Sequence, residues 1–536
     1  MTGADLLVEC LAQNGVSTIF GMPGGQNARI YDSLYRQDKI RQILVRNEHA
    51  GAFIADGYAR ATGQPGVCLV TAGPGLTNCM TGLGTAYSDS IPLFVISGQI
   101  PRKGIGKEVG YFHEMDHLGV TAPLTKWNAT AQNSSEIPEL VRRAFQELKN
   151  GRPRPVHLDL PVDLLAEETD ARPRVAERTR SETIPAEEIQ RAADLLQTAE
   201  RPLIIAGGGV VGADACRELL EVAHALQAPI LTTPMGKGCA PDDHPLAAGM
   251  MFNRLTSDLS KMDHCLSPLP NDADVVLAVG CRFSQVATAN WSLSIPGKLI
   301  QIDIDGSAIG RNYPAEIGIC GCAKAALTAL AEALPGKRGR ESDAWKEIRS
   351  RIPVPERWQI RGFDIAPILR RVLDRDAIIA CDMTRLYYML LANFPAYEPR
   401  SFLHSSCFIA MGYGLPAALG AKAAFPQRQV VAVAGDGGFL MTSQELACAV
   451  QEKLPVITIV INDRCLSAIK GIQKRSFDGR YIAVDLVNPD FVRLAEAYGA
   501  LGLRVQALEE FEPALHQALE ADRPALIEIQ APQTAE

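Results

Sequence analysis

With 536 residues the chain has room for about three to four domains. Its 53 basic and 61 acidic residues give a formal net charge of −8, which excludes an electrostatic grip on nucleic acid, and 47% apolar with 21% charged residues excludes global disorder. No apolar run reaches the roughly 18 residues of a membrane-crossing helix, and the start, Met1 to Asp5, lacks the basic-then-apolar pattern of a secretory signal. Thirteen cysteines without a CxxC pair are expected to be reduced thiols, and the protein is expected to be cytoplasmic. In chain order, short Val- and Ile-rich runs at 67–71, 93–97, 203–206, 275–279, 299–302, 377–380, 430–433 and 456–461 alternate with helical stretches. Runs that are apolar on both faces are predicted to be buried parallel strands joined by crossover helices, so the fold class is α/β with doubly wound sheets.

Two polar stretches, 166–183 and 335–357, interrupt this rhythm and are predicted to be linkers. They divide the chain into 1–165, 184–334 and 358–536, three parallel-sheet domains of ordinary size. The first and third parts share a pattern. In the first, a strand runs into Thr71-Ala72-Gly73-Pro74-Gly75, then a helix, then Ile91-Pro92 and a strand. In the third, a strand runs into Ala434-Gly435-Asp436-Gly437, then a helix, then Leu454-Pro455 and a strand. A repeated unit and the common grammar of doubly wound folds both account for this. The middle part has its own turn, Gly207-Gly208-Gly209, which a tight strand-to-helix connection explains as well as a nucleotide does.

Residues 430–470 carry the strongest chemical signal. Asp436 sits between glycines at the carboxyl end of a buried strand, where open α/β sheets bind ligands. The helix that follows points free N–H groups at the same place, which suits a phosphate. Asp463 ends the next strand, so two carboxylates can converge on one hard cation such as Mg²⁺. The competing reading is that both residues merely cap turns.

The GDG turn followed one helix and one strand later by Asn462-Asp463 resembles the thiamine-diphosphate motif of the acetolactate synthase-like and pyruvate decarboxylase-like enzymes. Four further segments resemble that family in order: Ile19 to Gly25, Arg46 to Arg60, Thr71 to Asn78, and Ala410 to Ala418. The resemblance implies pyrimidine-binding, central and diphosphate-binding domains. It makes Glu48 the carboxylate that shares a proton with the cofactor's pyrimidine ring, and places Gly24, Gly25, Pro74 and Asn78 on the pyrimidine side. It places Gly435, Asp436, Gly437, Gly438, Ser467, Ala468 and Ile469 on the diphosphate side, and makes Met411 the prop beneath the bent cofactor. Asp436, Asp463 and the backbone carbonyl of Cys465 become the Mg²⁺ ligands; most members have Asn where this chain has Asp463. The implied chemistry is borne by the cofactor, which acts as electron sink when a bond beside a carbonyl breaks. The implied substrate is a 2-oxo acid, decarboxylated before carboligation or aldehyde release. The implied assembly is a homodimer or homotetramer with active sites between subunits.

Several positions depart from the acetolactate synthases. Phe112-His113-Glu114 stands where they have Phe-Gln-Glu, and His113 reads equally as a proton carrier or a plain loop histidine. Val286 takes the place of their carboxylate-binding arginine, and Ile472 that of a substrate-selecting tryptophan. Their flavin-contacting Gly-Met-His-Gly is absent after Gly249-Met250; Gly207 to Gly209 and Asp303/Asp305 remain, and bound FAD is not expected. Lys470, Lys474, Arg475 and Arg480 read as a solvated loop. A 2-hydroxyacyl lyase acting without decarboxylation is the alternative enzyme, and a non-catalytic cofactor-binding relative the alternative from another class.

Overall fold

The computed structural model describes residues 1–177, 184–251, 267–334 and 365–532, so the linker expected at 335–357 and the tail of the one at 166–183 lie outside the described residues. The structure contains three six-stranded, wholly parallel sheets. The first holds β1 (Thr18–Gly21), β2 (Arg41–Leu44), β3 (Gly66–Val70), β4 (Leu93–Gln99), β5 (Trp127–Thr130) and β6 (Val156–Pro161), in the order β2-β1-β3-β4-β6-β5. The second holds β7 (Pro202–Ala206), β8 (Ile230–Thr232), β9 (Ala247–Met250), β10 (Val275–Val279), β11 (Lys298–Asp303) and β12 (Ile317–Cys320), in the order β12-β11-β10-β7-β8-β9. The third holds β13 (Ile378–Cys381), β14 (Phe402–Leu403), β15 (Val430–Gly435), β16 (Ile457–Asn462), β17 (Leu501–Val505) and β18 (Ala525–Gln530), in the order β14-β13-β15-β16-β18-β17. The first and third sheets therefore share one strand order, which the second does not; the local likeness around Gly73 and Gly435 extends to the whole topology.

All eight predicted strands are present, because runs such as Val275–Val279 and Leu93–Gln99 are buried along their whole length and satisfy their backbone only within a sheet. The polar stretch after 165 is no free tether. Its start is strapped to the first sheet's amino-terminal helix: Gly3 N–H donates to Glu167 O, Thr2 bridges Glu168, and Asn14 holds Arg174 O and Ala176 N–H.

The helix Glu48–Thr62 joins the first and third parts. Asn47 caps its start by accepting from His49 N–H at 2.8 Å, and Gly63 at φ 73° ends it. Most of its residues are buried, because the first sheet covers one side and the helix Gly414–Ala424 the other. Glycine permits the approach: a Cβ on Gly57 would lie 2.3 Å from Ala417 O, and one on Gly420 2.0 Å from Ile54 O. A buried bracket reinforces the joint. Arg60 pairs with Asp56 (2.6 Å) and Asp89 (3.0 Å) and donates to His404 O, while Tyr413 donates to Asp56 at 2.9 Å.

Candidate functional site

In doubly wound sheets the crevice opens where the strand order reverses, between β1 and β3 in the first sheet and between β13 and β15 in the third. The turns that follow these strands carry most of the sequence-predicted residues.

At the first crevice, Gly24 crosses the end of β3; a Cβ there would strike Thr71 Oγ1 at 2.5 Å, and its N–H donates to Asn27 Oδ1 at 2.7 Å. Gly25 faces open space. Gly73 adopts φ 58° and ψ −107°, a conformation for glycine, and Pro74 then opens the short helix Pro74–Asn78. That helix brings Asn78 Nδ2 to 2.9 Å from Glu48 Oε2, and Gly75 lies against Oε1 of the same carboxylate. Glu48, only 7% exposed, is the first residue of its helix, where a carboxylate is favoured. His113, at φ 68°, rests its backbone and Cβ on Gly73 and stacks its ring on Phe112. Its Nδ1 is buried with no hydrogen-bond partner.

At the third crevice, Gly435 ends β15 and Asp436 opens the next helix. Asp436 Oδ1 accepts from Gly437 N–H; Oδ2 accepts from Arg464 N–H (2.8 Å) and Asn488 Nδ2 (2.7 Å). Burial, and then the nearby charge of Asp463, raise the Asp436 carboxyl above the ordinary carboxylate range. Two carboxylates that repel each other at one strand edge are hard oxygen donors of the kind a divalent cation takes. Ser467 Oγ donates to Asp463. Cys465 is fixed by a short antiparallel pairing, with Leu466 N–H on Val484 O and Leu486 N–H on Arg464 O. Ser467, Ala468 and Ile469 form the first turn of the helix Ser467–Ser476, whose N–H groups have no partner within the helix. Gly437 lies beside the Met411 methyl, and Gly438 lies against the carboxylate of Asp382.

Three residues at these turns escape sequence reasoning. Asp382, buried, accepts from the N–H groups of Gly412 (2.9 Å) and Met383, and so holds the Met411 loop; burial pushes its carboxyl up to about 6. Asn488 bridges Asp436 to Asn462. Glu445, on the helix after Asp436, accepts from Arg46 N–H at 3.0 Å and so grips the segment leading into Glu48; burial pushes it up to about 7. Their partners Gly412, Asp436 and Arg46 lie far away in the chain, so no local signal marks them.

The departures also have definite places. Val286 packs against the third core, and Arg282 donates to Ser88 O. Lys470, buried and paired with Asp485 at 2.6 Å, and the exposed Lys474 and Arg475 all lie on the helix Ser467–Ser476, which corrects the loop expectation for these three; Arg480, beyond the helix, is exposed. Gly207 touches Gly280, where a Cβ would lie 2.1 Å from the carbonyl, so the tight-turn reading accounts for it. A cavity of about 500 Å³ adjoins Gly208 and Gly209; Asp303 on its wall is gripped by Arg152 from the first part, which also pairs with Asp305.

Three family models match in order: the N-terminal TPP binding domain of the thiamine pyrophosphate enzymes at residues 1–120, their central domain at 189–330, and their C-terminal TPP binding domain at 384–529. The chain is 38% identical to a probable acetolactate synthase large subunit of Methanocaldococcus jannaschii, over 99% of this chain and 92% of that protein. The chain belongs to the thiamine pyrophosphate enzyme family. It is also 36% identical to the acetolactate synthase isozyme 3 large subunit of Escherichia coli, over 98% of this chain and 93% of that one. A probable 2-ketoarginine decarboxylase of Pseudomonas aeruginosa is 37% identical over 99% of this chain and 94% of its own. The Glu48 turn falls within the N-terminal TPP-binding match and the Asp436 turn within the C-terminal one. Among the described residues no helix is long and apolar enough to cross a membrane.

Proposed function

We propose that this family member uses thiamine diphosphate and Mg²⁺ to decarboxylate a 2-oxo acid, passing the remaining fragment to a carbonyl acceptor or releasing it as an aldehyde. The observation that carries the reading is the paired arrangement of the two crevices: a buried Glu48 braced by Asn78 at one, and the mutually repelling Asp436 and Asp463 at the other. The relatives' names support the 2-oxo acid.

Bound thiamine diphosphate supplies the electron sink for the bond that breaks beside the carbonyl. Asp436, Asp463 and the Cys465 carbonyl hold Mg²⁺, a hard-oxygen ligand set that the cation prefers. The N–H groups at Ser467 to Ile469 and the backbone at Gly435, Gly437 and Gly438 face the diphosphate. Met411, beside Gly437, supports the ring system from below. Glu48 holds a proton against a pyrimidine nitrogen, and Asn78, by engaging Oε2, turns the carboxylate's other oxygen to that task. Gly24, Gly25 and Pro74 line the pyrimidine side, and the orphaned Nδ1 of His113 supplies a further proton-handling group beside Gly73.

The family resemblance leads us to take the complete site to lie between two chains of a homodimer or homotetramer, with Glu48 of one chain meeting Asp436 of the other. We take the domains as 1–165, 184–334 and 358–536, and the location as the cytoplasm. The test is carbon dioxide release from a panel of aliphatic and aromatic 2-oxo acids, with protein stripped and then reloaded with thiamine diphosphate and Mg²⁺, and with product analysis. Cofactor-dependent release from at least one acid is expected. No release from any acid by loaded protein overturns the decarboxylase reading in favour of a lyase with another donor.

A further inference from the structure

Behind the Gly73 turn lies a buried polar network that the proposed reaction does not use. Asp159, on β6, has negligible exposure. Its Oδ1 meets His117 Nδ1 at 2.8 Å and accepts from Ser97 Oγ at 2.7 Å; its Oδ2 accepts from Gln99 Nε2 at 2.9 Å and Thr130 Oγ1 at 3.2 Å. His157 Nε2 lies 2.7 Å from Ser97 Oγ, and its Nδ1 lies 3.1 Å from Thr121 Oγ1. At the far end, His117 Nε2 accepts from the backbone N–H of Gly73 at 3.0 Å.

The partners of His117 fix where its proton lies. A backbone N–H only donates, so His117 Nε2 presents a lone pair and its proton sits on Nδ1, pointing at Asp159. Ser97 spends its only proton on Asp159, so it accepts from His157 Nε2–H; Thr121 Oγ1, which donates to His117 O at 3.0 Å, lies beside His157 Nδ1. Burial lowers His157 to about 4 and so favours its neutral form. Four donors saturate the Asp159 carboxylate, which is what a buried charge requires. His117, His157 and Asp159 lie close enough together to suggest a metal site. The hydrogen bonds argue otherwise, since the Nε2 lone pair of His117 is taken by Gly73 and the Ser97 hydroxyl stands between His157 and Asp159.

We infer that His117, oriented by Asp159, is a positioning residue that locks the Gly73-Pro74 turn and through it the wall that faces the Glu48 carboxylate. The chain of contacts is short. His117 fixes Gly73 N–H; Gly73 and Pro74 set the helix Pro74–Asn78; that helix delivers Asn78 to Glu48 Oε2 and Gly75 to Oε1. Gly73 sits at positive φ, one of several conformations open to glycine, so the turn is set by what holds it from outside. His117 supplies that constraint from inside the sheet, and His113, pressed on Gly73 from the loop side, supplies the other.

The inference rests on the proposed role of Glu48, and two independent readouts separate the two ideas. His117→Gln places an amide oxygen about where Nε2 lies and an N–H toward Asp159, so it keeps both contacts. His117→Asn keeps the Asp159 contact and falls short of Gly73. In protein without cofactor, deuterium uptake by residues 72–79 is expected to rise about tenfold in H117N and to stay near the wild-type rate in H117Q, the scale set by one lost buried hydrogen bond. In protein loaded with thiamine diphosphate, exchange of the cofactor's thiazolium C2 hydrogen is expected to slow about 100-fold in H117N, with H117Q largely restored, as for a displacement of about 1 Å at a reacting group. Equal behaviour of H117N and wild type in the uptake measurement overturns the inference, as does H117Q behaving like H117N. Should neither variant fold, the wild type decides: a Gly73 amide that exchanges at the unprotected rate overturns it, and a protected one supports it. Altered uptake with unaltered C2 exchange keeps the lock on the turn and sinks the proposed role of Glu48.

Discussion

The first and third sheets have the same six-strand order, and each opens its crevice at the same place, yet the two crevices are held in opposite ways. In the first, the turn after β3 is braced from behind by a saturated network ending on Gly73 N–H, and one buried carboxylate, Glu48, faces a neutral amide. In the third, the turn after β15 brings Asp436 into the field of Asp463, and a further carboxylate, Asp382, holds the neighbouring Met411 loop by accepting from Gly412 N–H. Topology thus supplies two equivalent crevices. On the proposed reading, the side chains at the strand ends suit one to handle a proton and the other to attract a cation. The second sheet, with a different order, packs Gly207 on Gly280 at its strand ends, and the cavity of about 500 Å³ lies beside that contact.

The comparison can be broken at several points. Glu48→Gln should lower turnover by about 1,000-fold with little change in thiamine diphosphate affinity, the range of a lost general acid–base group; measured by steady-state kinetics and calorimetry, retained turnover refutes the proton role. Asp436→Ala should weaken Mg²⁺-dependent cofactor binding by more than about 100-fold, beyond the usual effect of outer-shell changes; unchanged affinity removes Asp436 from the ligand set. Asn488→Leu, which strips one donor from Asp436, should weaken Mg²⁺ binding about tenfold without touching the Glu48 half. Equal loss of C2 exchange in this variant would mean that the two halves are not separable.

Two smaller effects concern the joint between the parts. Gly57→Ala forces a methyl against Ala417 O and should cost about 2 kcal/mol, read as a lower thermal midpoint. Glu445 lies above its ordinary pKa of 4.5, at about 7, because it is buried. Its folded form binds the proton more tightly than the unfolded form. Its contribution is therefore full below pH 4.5 and is lost as pH rises through about 7. The stability of Glu445→Gln relative to wild type should accordingly improve by about 2 kcal/mol between pH 5 and pH 8; a pH-independent difference sinks this account.

The strands and crevice turns were legible because their signals are local. Val430 to Gly437 has only one plausible strand-and-turn reading, and Arg46-Asn47-Glu48 announces a helix start. Asn488, Asp382, Glu445 and His117 were not legible. Each acts on a partner far away in the chain or on a backbone N–H, and a lone buried polar residue carries no pattern of its own. The straps from the stretch after 165 to Thr2, Gly3 and Asn14 were not legible for the same reason: its composition is that of a linker, and its partners come from the amino terminus.

By itself the sequence determined the fold class, the alternation of strand and helix, and the chemical groups at the strand ends, since apolar runs and glycine turns are dictated within a few residues. Tertiary structure alone decided that the first and third sheets share an order, and that a buried histidine holds Gly73 while a glutamate of the third part grips the entry to Glu48. Those outcomes depend on hydrogen-bond accounting in a closed interior, where every buried donor and acceptor must find a partner wherever in the chain that partner lies.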